Sequence, residues 1–229
     1  MSNKISEIIL KRLKDNNISY KGCDNISEYI NNNEINLLIN ECTEIFEKLL
    51  DVLLIDKNDK NIVDTPKRLS NMYINELFKG RYYKLDEIKE FPVSNYYNNN
   101  NNILIIKTTI NSTCSHHFLP INGYIYIGFI LNNTNENVLG LSKYYRLCDW
   151  CSRRAILQEE LIITIKKEFI KILNNDNLAI LIQAKHDCCA IRGIKNIDFN
   201  VTNLHLSGIF EKPDIKETFI NLISMQKNI

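Results

Sequence analysis

No stretch of this 229-residue chain is apolar for long enough to cross a membrane, and residues 1–17 lack the hydrophobic core of a signal peptide. That segment mixes Lys4, Lys11 and Arg12 with Glu7 and Asp15, which suits an amphipathic helix. A formal net charge of +1 gives no sign of nucleic acid or an acidic membrane as the main partner. Glycine and proline are scarce, at 7 and 4 residues, and no Pro/Gly linker or internal repeat divides the chain. Asn, Ile and Lys are plentiful, and the run Asn98 to Asn102 reads as the filling of a permissive loop. Hydrophobic residues at 45% and charged residues at 24% are ordinary for a globular protein able to bury a good core. Seven cysteines without a leader sequence predict a reducing, cytoplasmic setting.

Residues 4 to 55 read as helices broken by an Asn-rich turn at residues 31–33, with Ile35, Leu38, Ile39, Cys42, Ile45, Phe46, Leu49 and Leu50 in helical spacing. A further helix is marked by Asp64 or Thr65 as its cap, Pro66 in its first turn and Gly80 as its stop. The pattern then turns to β: Ile103 to Ile110 and Ile121 to Leu131 as strands, with a turn at Asn132 to Asn137. Ser142 opens a helical region running to about Leu173, and Asn174 to Asn177 breaks it. Leu178 to Cys188 reads as a buried strand, followed by two short strands and a helix from about Ile215 to Met225. The fold class is α+β, a helical region over residues 1–88 and then, over 89–229, two hairpin-like strand pairs with helices on one face.

Two clusters carry the chemistry. Cys114-Ser115-His116-His117 lies between the first two strands, and His186-Asp187-Cys188 ends the buried strand. Together they offer thiols and imidazoles, which zinc prefers, and a site with three protein ligands keeps an open position for water. Strand alternation puts His186 and Cys188 on one face and Cys189 on the other. Cys114 and His117, three apart in a turn, can close on one ion. Cys114, His117 and Cys188 are therefore assigned as ligands of Zn2+, leaving His116 and His186 for proton transfer. Taken alone, Cys188 would read as a core residue. The Cys148/Cys151 pair has C-x-x-C spacing but sits on an apolar helix face with Leu147 and Trp150, so it reads as packing.

These residues and their surroundings resemble type I GTP cyclohydrolase I, the zinc-dependent form. The resemblance rests on Thr65-Pro66-Lys67-Arg68, Ser112 to His117, Gly140 to Arg146, Gln158-Glu159, and His186-Asp187-Cys188 with Arg192-Gly193. It implies a T-fold, an antiparallel sheet with helices on one face, assembled as a toroidal homodecamer with active sites at subunit interfaces. It implies conversion of GTP and water to 7,8-dihydroneopterin triphosphate and formate, the first step of folate or pterin biosynthesis. By matching position, Cys114, His117 and Cys188 are the zinc ligands and His116 and His186 the acid/base pair. Gln158 and Glu159 meet guanine, whose N1–H and exocyclic amine suit a carboxylate. Ser142, Lys143, Arg146 and Arg192 face the triphosphate. Arg68 is a further substrate residue, with a structural ion pair as the competing reading, while Ser142 by itself would read as a helix cap.

The match has departures. Ser115 stands where the family has Glu, Ala155-Ile156 lack the usual Pro-Gln, Glu160 replaces an arginine and Asn71 a lysine. Two other classes of function remain beside the cyclohydrolase. One is a T-fold relative such as a deazapurine nitrile reductase, which requires a nicotinamide cofactor. The other is a homologue without turnover that assembles with a true cyclohydrolase.

Overall fold

The computed structural model describes residues 4–92, 103–131 and 137–226. The chain divides into two compact units, Met1–Lys84 and Leu85–Ile229. In the first, α1 (Ile5–Asp15) packs on α2 (Asn32–Val52). The Asn-rich turn is the start of α2. The Asn31 side chain accepts from the Glu34 N–H, and the Glu34 carboxylate accepts from the Asn31 N–H, a reciprocal cap. Arg12 donates to both oxygens of the same carboxylate, at 3.0 and 2.6 Å, and holds its carboxyl below the ordinary range. Ile9, Leu13, Ile26, Ile35, Ile39 and Ile74 form the core of this unit.

Pro66 sits in the first turn of α3 (Thr65–Asn71), as expected. The helix widens into a π-type turn over Met72–Leu77 and stops when the Phe78 N–H bonds back to the Tyr73 carbonyl. Gly80 therefore does not end it. That residue lies buried inside the short α4 (Lys79–Tyr82), where its carbonyl accepts from Asn25 Nδ2.

The second unit holds a small ribbon, β1 (Glu90–Pro92) with β4 (Asn137–Leu139), and a four-stranded antiparallel sheet in the order β2-β3-β5-β6. Its strands are β2 (Leu104–Thr113), β3 (Pro120–Phe129), β5 (Leu178–His186) and β6 (Asn200–Leu206). The α+β class and the two antiparallel strand pairs are as expected. Other details differ from the expectation. The strand read as ending at Cys188 stops at His186, and Asp187–Ala190 form a helical turn, α7. One strand rather than two follows it among the described residues. The helical region of residues 142–173 is two helices, α5 (Leu141–Ser152) and α6 (Gln158–Leu173). Between them the Ile156 N–H bonds to the Thr113 carbonyl, and Ala155 bridges to Thr113, so the sheet takes backbone groups that a continuous helix would need. The Asn98–Asn102 loop and most of the turn expected at 132–137 lie outside the described residues.

Ile125 and Ile127 stand opposite Ile182 and Ile180, all fully buried, on the sheet face that carries α6. The other face, with Tyr126, Ala179 and Leu181, packs against Phe210 and against Phe219 and Ile223 of α8 (Pro213–Gln226). Gly128 makes room there, since a Cβ would come within 2.6 Å of the Phe219 ring. The sheet is thus covered by α5 and α6 on one face, as expected, and by α8 on the other. Among the described residues no helix is long and apolar enough to cross a membrane.

Candidate metal centre

The β2–β3 connection is a six-residue tip, 114–119. The Cys114 N–H donates to the Leu119 carbonyl at 2.9 Å, and the Cys114 carbonyl accepts from the Phe118 N–H at 2.8 Å. Phe118 is held at φ +53°, a left-handed conformation unusual for a bulky residue, and these two bonds are what enforce it. Cys114 is buried, whereas His116 and His117 are exposed, with ring centroids 6.4 Å apart and edge-on.

Register does the rest. Ser112, Ile121 and His186 form one row across β2, β3 and β5. The tip after β2 and the helical turn after β5 therefore emerge at the same end of the sheet. There, one donor atom each from Cys114, His186 and Cys188 lies within 4.8 Å of the others, and the two sulfurs are 3.9 Å apart. A tetrahedral ion with metal–sulfur bonds of about 2.3 Å sets two thiolates about 3.8 Å apart, so the pair fits one ion as it stands. Burial, together with the neighbouring Cys114 and Cys189 thiols, pushes Cys188 up to about 12. A Cys188 thiolate would therefore need a cation beside it to form near neutral pH.

Of the three expected ligands, Cys114 and Cys188 are brought together, and the third donor among them is His186 rather than His117. Cys188 reaches the cluster from a helical turn, not from a continued strand face. In that turn consecutive residues do not alternate, so Cys189 Sγ stands 4.0 Å from Cys188 Sγ instead of on the opposite face.

Gln158, the first residue of α6, is completely buried. Its Nε2 donates to the carbonyls of Ile182 at 3.4 Å and Val201 at 3.1 Å, and its Oε1 is 2.8 Å from His186 Nε2. All its polar capacity is thus spent inside the protein. No sequence signal announced this contact, because a glutamine and a histidine 28 positions apart share no spacing rule. Burial lowers the pKa of His186, and exposed Glu159 opposes that shift through its charge. Glu160 accepts from the Leu157 N–H at 3.3 Å and so caps α6.

Ser142 and Arg146 are exposed in the first turns of α5, with Lys143 half-buried between them. Gly140 is the N-cap and carries no side-chain cap, so Ser142 is not the cap of this helix. Arg192 is exposed just beyond α7. Arg68, in the first unit, donates to Asp64 at 3.0 Å as an exposed i,i+4 ion pair, the competing reading for that residue. Cys148 and Cys151 are both fully buried in α5. Burial raises Cys148 well above its ordinary value and Cys151 to about 12, which leaves them as neutral packing groups.

An antiparallel α+β protein with a two-thiol, one-imidazole group that could hold a metal ion at one end of its sheet is the class that fold and site define. Residues 42–224 match the GTP cyclohydrolase I family, and the chain belongs to that family. Its T-fold is the architecture expected from the resemblance. The chain is similar to proteins named GTP cyclohydrolase 1. That of Flavobacterium johnsoniae is 34% identical over 182 residues, covering 78% of each chain. That of Blochmanniella pennsylvanica is 34% identical over 180 residues, covering 76% of this chain and 78% of the relative. That of Buchnera aphidicola subsp. Schizaphis graminum is 32% identical over 225 residues, covering 92% and 98%.

Proposed function

We propose that this chain converts GTP and water to 7,8-dihydroneopterin triphosphate and formate, the entry step of folate or pterin biosynthesis, with zinc held by Cys114, His117 and Cys188. The observation that carries the reading is the convergence of Cys114, His186 and Cys188 at one end of the sheet, with Glu159 close enough to act on His186 electrostatically. Zinc, when bound, supplies a water whose pKa is lowered toward about 7.

The chain's own residues do the rest. His117 is favoured as the third ligand because it shares a closed turn with Cys114, which leaves His186 for proton transfer. His186 and His116 move protons to and from the ring nitrogen that is released as the five-membered ring opens. The Glu159 carboxylate accepts from guanine N1–H and the exocyclic amine. Adenine lacks that donor pair and would leave the carboxylate unpaired. At the start of α5 stand Ser142, Lys143 and Arg146 with no acidic residue in the first turn, and with Arg192 they suit a triphosphate. Gln158 belongs to the substrate pocket through its neighbour rather than through a donor of its own. Arg68 is a further substrate residue in this reading, taken from its ion pair with Asp64.

Apolar side chains stand exposed on the elements that build the site, with Leu141 at 74%, Ile191 at 63% and Phe118 at 47%. A homodecameric ring with sites between subunits would cover them, and light scattering should return ten chains per particle. Among the described residues none of the seven cysteines is in a disulfide, in keeping with a cytoplasmic setting.

The decisive experiment incubates purified, metal-analysed protein with GTP and looks for a fluorescent pterin after oxidation. His186→Ala should abolish product with zinc retained, and His117→Ala should lose zinc. Wild-type protein with full zinc and no product would sink the activity. Zinc retained in His117→Ala but lost in His186→Ala would exchange the two roles.

A further inference from the structure

We propose that Gln158 is a positioning residue that holds His186 as its Nε2–H tautomer, with the ring lone pair on Nδ1. The orientation of the Gln158 amide follows from its surroundings. Two carbonyl oxygens, of Ile182 and Val201, face its Nε2. A carbonyl can only accept, so the nitrogen of the amide must be the atom turned toward them. Flipping the amide would set its oxygen against both carbonyls and leave a buried –NH2 facing the imidazole. With the amide so fixed, Oε1 is the atom 2.8 Å from His186 Nε2. An amide oxygen also only accepts, and the proton between the two atoms therefore belongs to the histidine. A neutral imidazole carries one N–H, so the lone pair lies on Nδ1.

The lock is built from rigid parts. The carbonyls belong to the adjacent strands β5 and β6, whose register pairs Ala184 with Val201 and Ile182 with Asn203. Gln158 opens α6, and the segment before it is tied to the end of β2 by the bond from the Ile156 N–H to the Thr113 carbonyl. His186 is the last residue of β5, directly opposite Ile121. Four strands and one helix terminus thus support a single hydrogen bond, and that bond sets the ring's rotation as well as its tautomer.

The consequence for catalysis rests on His186 being an acid/base group, as proposed above, whereas the tautomer itself does not. The test is accordingly in two parts. Long-range 1H–15N spectra of the full chain labelled with 15N-histidine resolve only four imidazoles, and His186→Ala assigns the relevant one. Wild-type His186 should show a protonated Nε2 and a bare Nδ1, and Gln158→Met should give a mixture of tautomers. Steady-state kinetics with GTP should show kcat falling by about 10–100-fold in Gln158→Met with KM unchanged, the scale seen for partners that orient functional histidines. Gln158→Glu, whose carboxyl when protonated donates to one of the two carbonyls while its other oxygen accepts from Nε2–H, should keep the tautomer and part of kcat. An Nδ1–H tautomer in the wild type overturns the proposal, as does a Gln158→Met change confined to KM. If Gln158→Met does not fold, the wild-type spectrum and Gln158→Glu decide. Absence of any GTP turnover alongside an Nε2–H tautomer would instead break the functional reading and leave the lock standing.

Discussion

Cys148 and Cys151 stand three residues apart on one helix, while Cys114 and Cys188 come from elements 74 positions apart. The first pair has the spacing usually associated with metal or redox chemistry, and the second has no local spacing at all. Their environments reverse that order. Cys148 and Cys151 face inward from α5, where burial outweighs the Arg154 charge that favours a Cys151 thiolate, and no further donor is grouped with them among the described residues. Cys114 and Cys188 meet an imidazole at the end of the sheet, with their sulfurs at the separation one tetrahedral ion would set. A cysteine's chemistry is decided by what the fold brings beside it.

The largest test of that contrast removes one sulfur from each pair. Cys188→Ala should cost at least about 100-fold in metal affinity, above the 10–100-fold typical of groups that only support a ligand. Titration with a competing chelator measures this. Cys148→Ser should leave metal content untouched and cost about 1–3 kcal/mol of stability in denaturant unfolding, because a hydroxyl without a partner enters an apolar site. Metal loss in Cys148→Ser would erase the distinction. The smallest effect concerns alkaline pH. Cys151 has a folded value of about 12 against an ordinary 9.0, so the neutral thiol favours the folded state. The unfolded chain begins to release this proton near pH 9, and the stability is lost as pH climbs toward the folded value. The slope is about 1.4 kcal/mol per pH unit for each such thiol. Cys151→Ala should show a shallower loss between pH 9 and 11, and an identical slope would mean that the thiol is not held neutral.

Much of this arrangement was legible in the residues. Asn31 and Glu34 announce the start of α2, Pro66 that of α3, and the β-branched runs mark β2, β3 and β5 because each depends on neighbours within a few positions. The errors fall where distant backbone groups intervene. The helical region read over residues 142–173 is there, but its division into two helices follows only once Thr113 takes the Ile156 N–H. Extending β5 to Cys188 is reasonable until a helical turn begins after His186. That second error still led to Cys188, through a face alternation that does not operate there. Gln158 was read as a substrate contact from its motif, and its partners inside the protein could not be seen without β5 and β6 in place. Glu160, a departure from the family, turns out to cap the helix that carries Gln158 and Glu159.

The sequence by itself determined the kinds of donor present, the family, the α+β class and the elements with strong local signals. Those properties depend on side-chain chemistry and on periodicities of two or 3.6 residues, which need no knowledge of distant chain. Only the tertiary structure decided which donors meet, which cysteines stay neutral and what holds His186. These depend on the register of β2, β3 and β5, on the break between α5 and α6, and on burial, and each of them couples residues tens of positions apart.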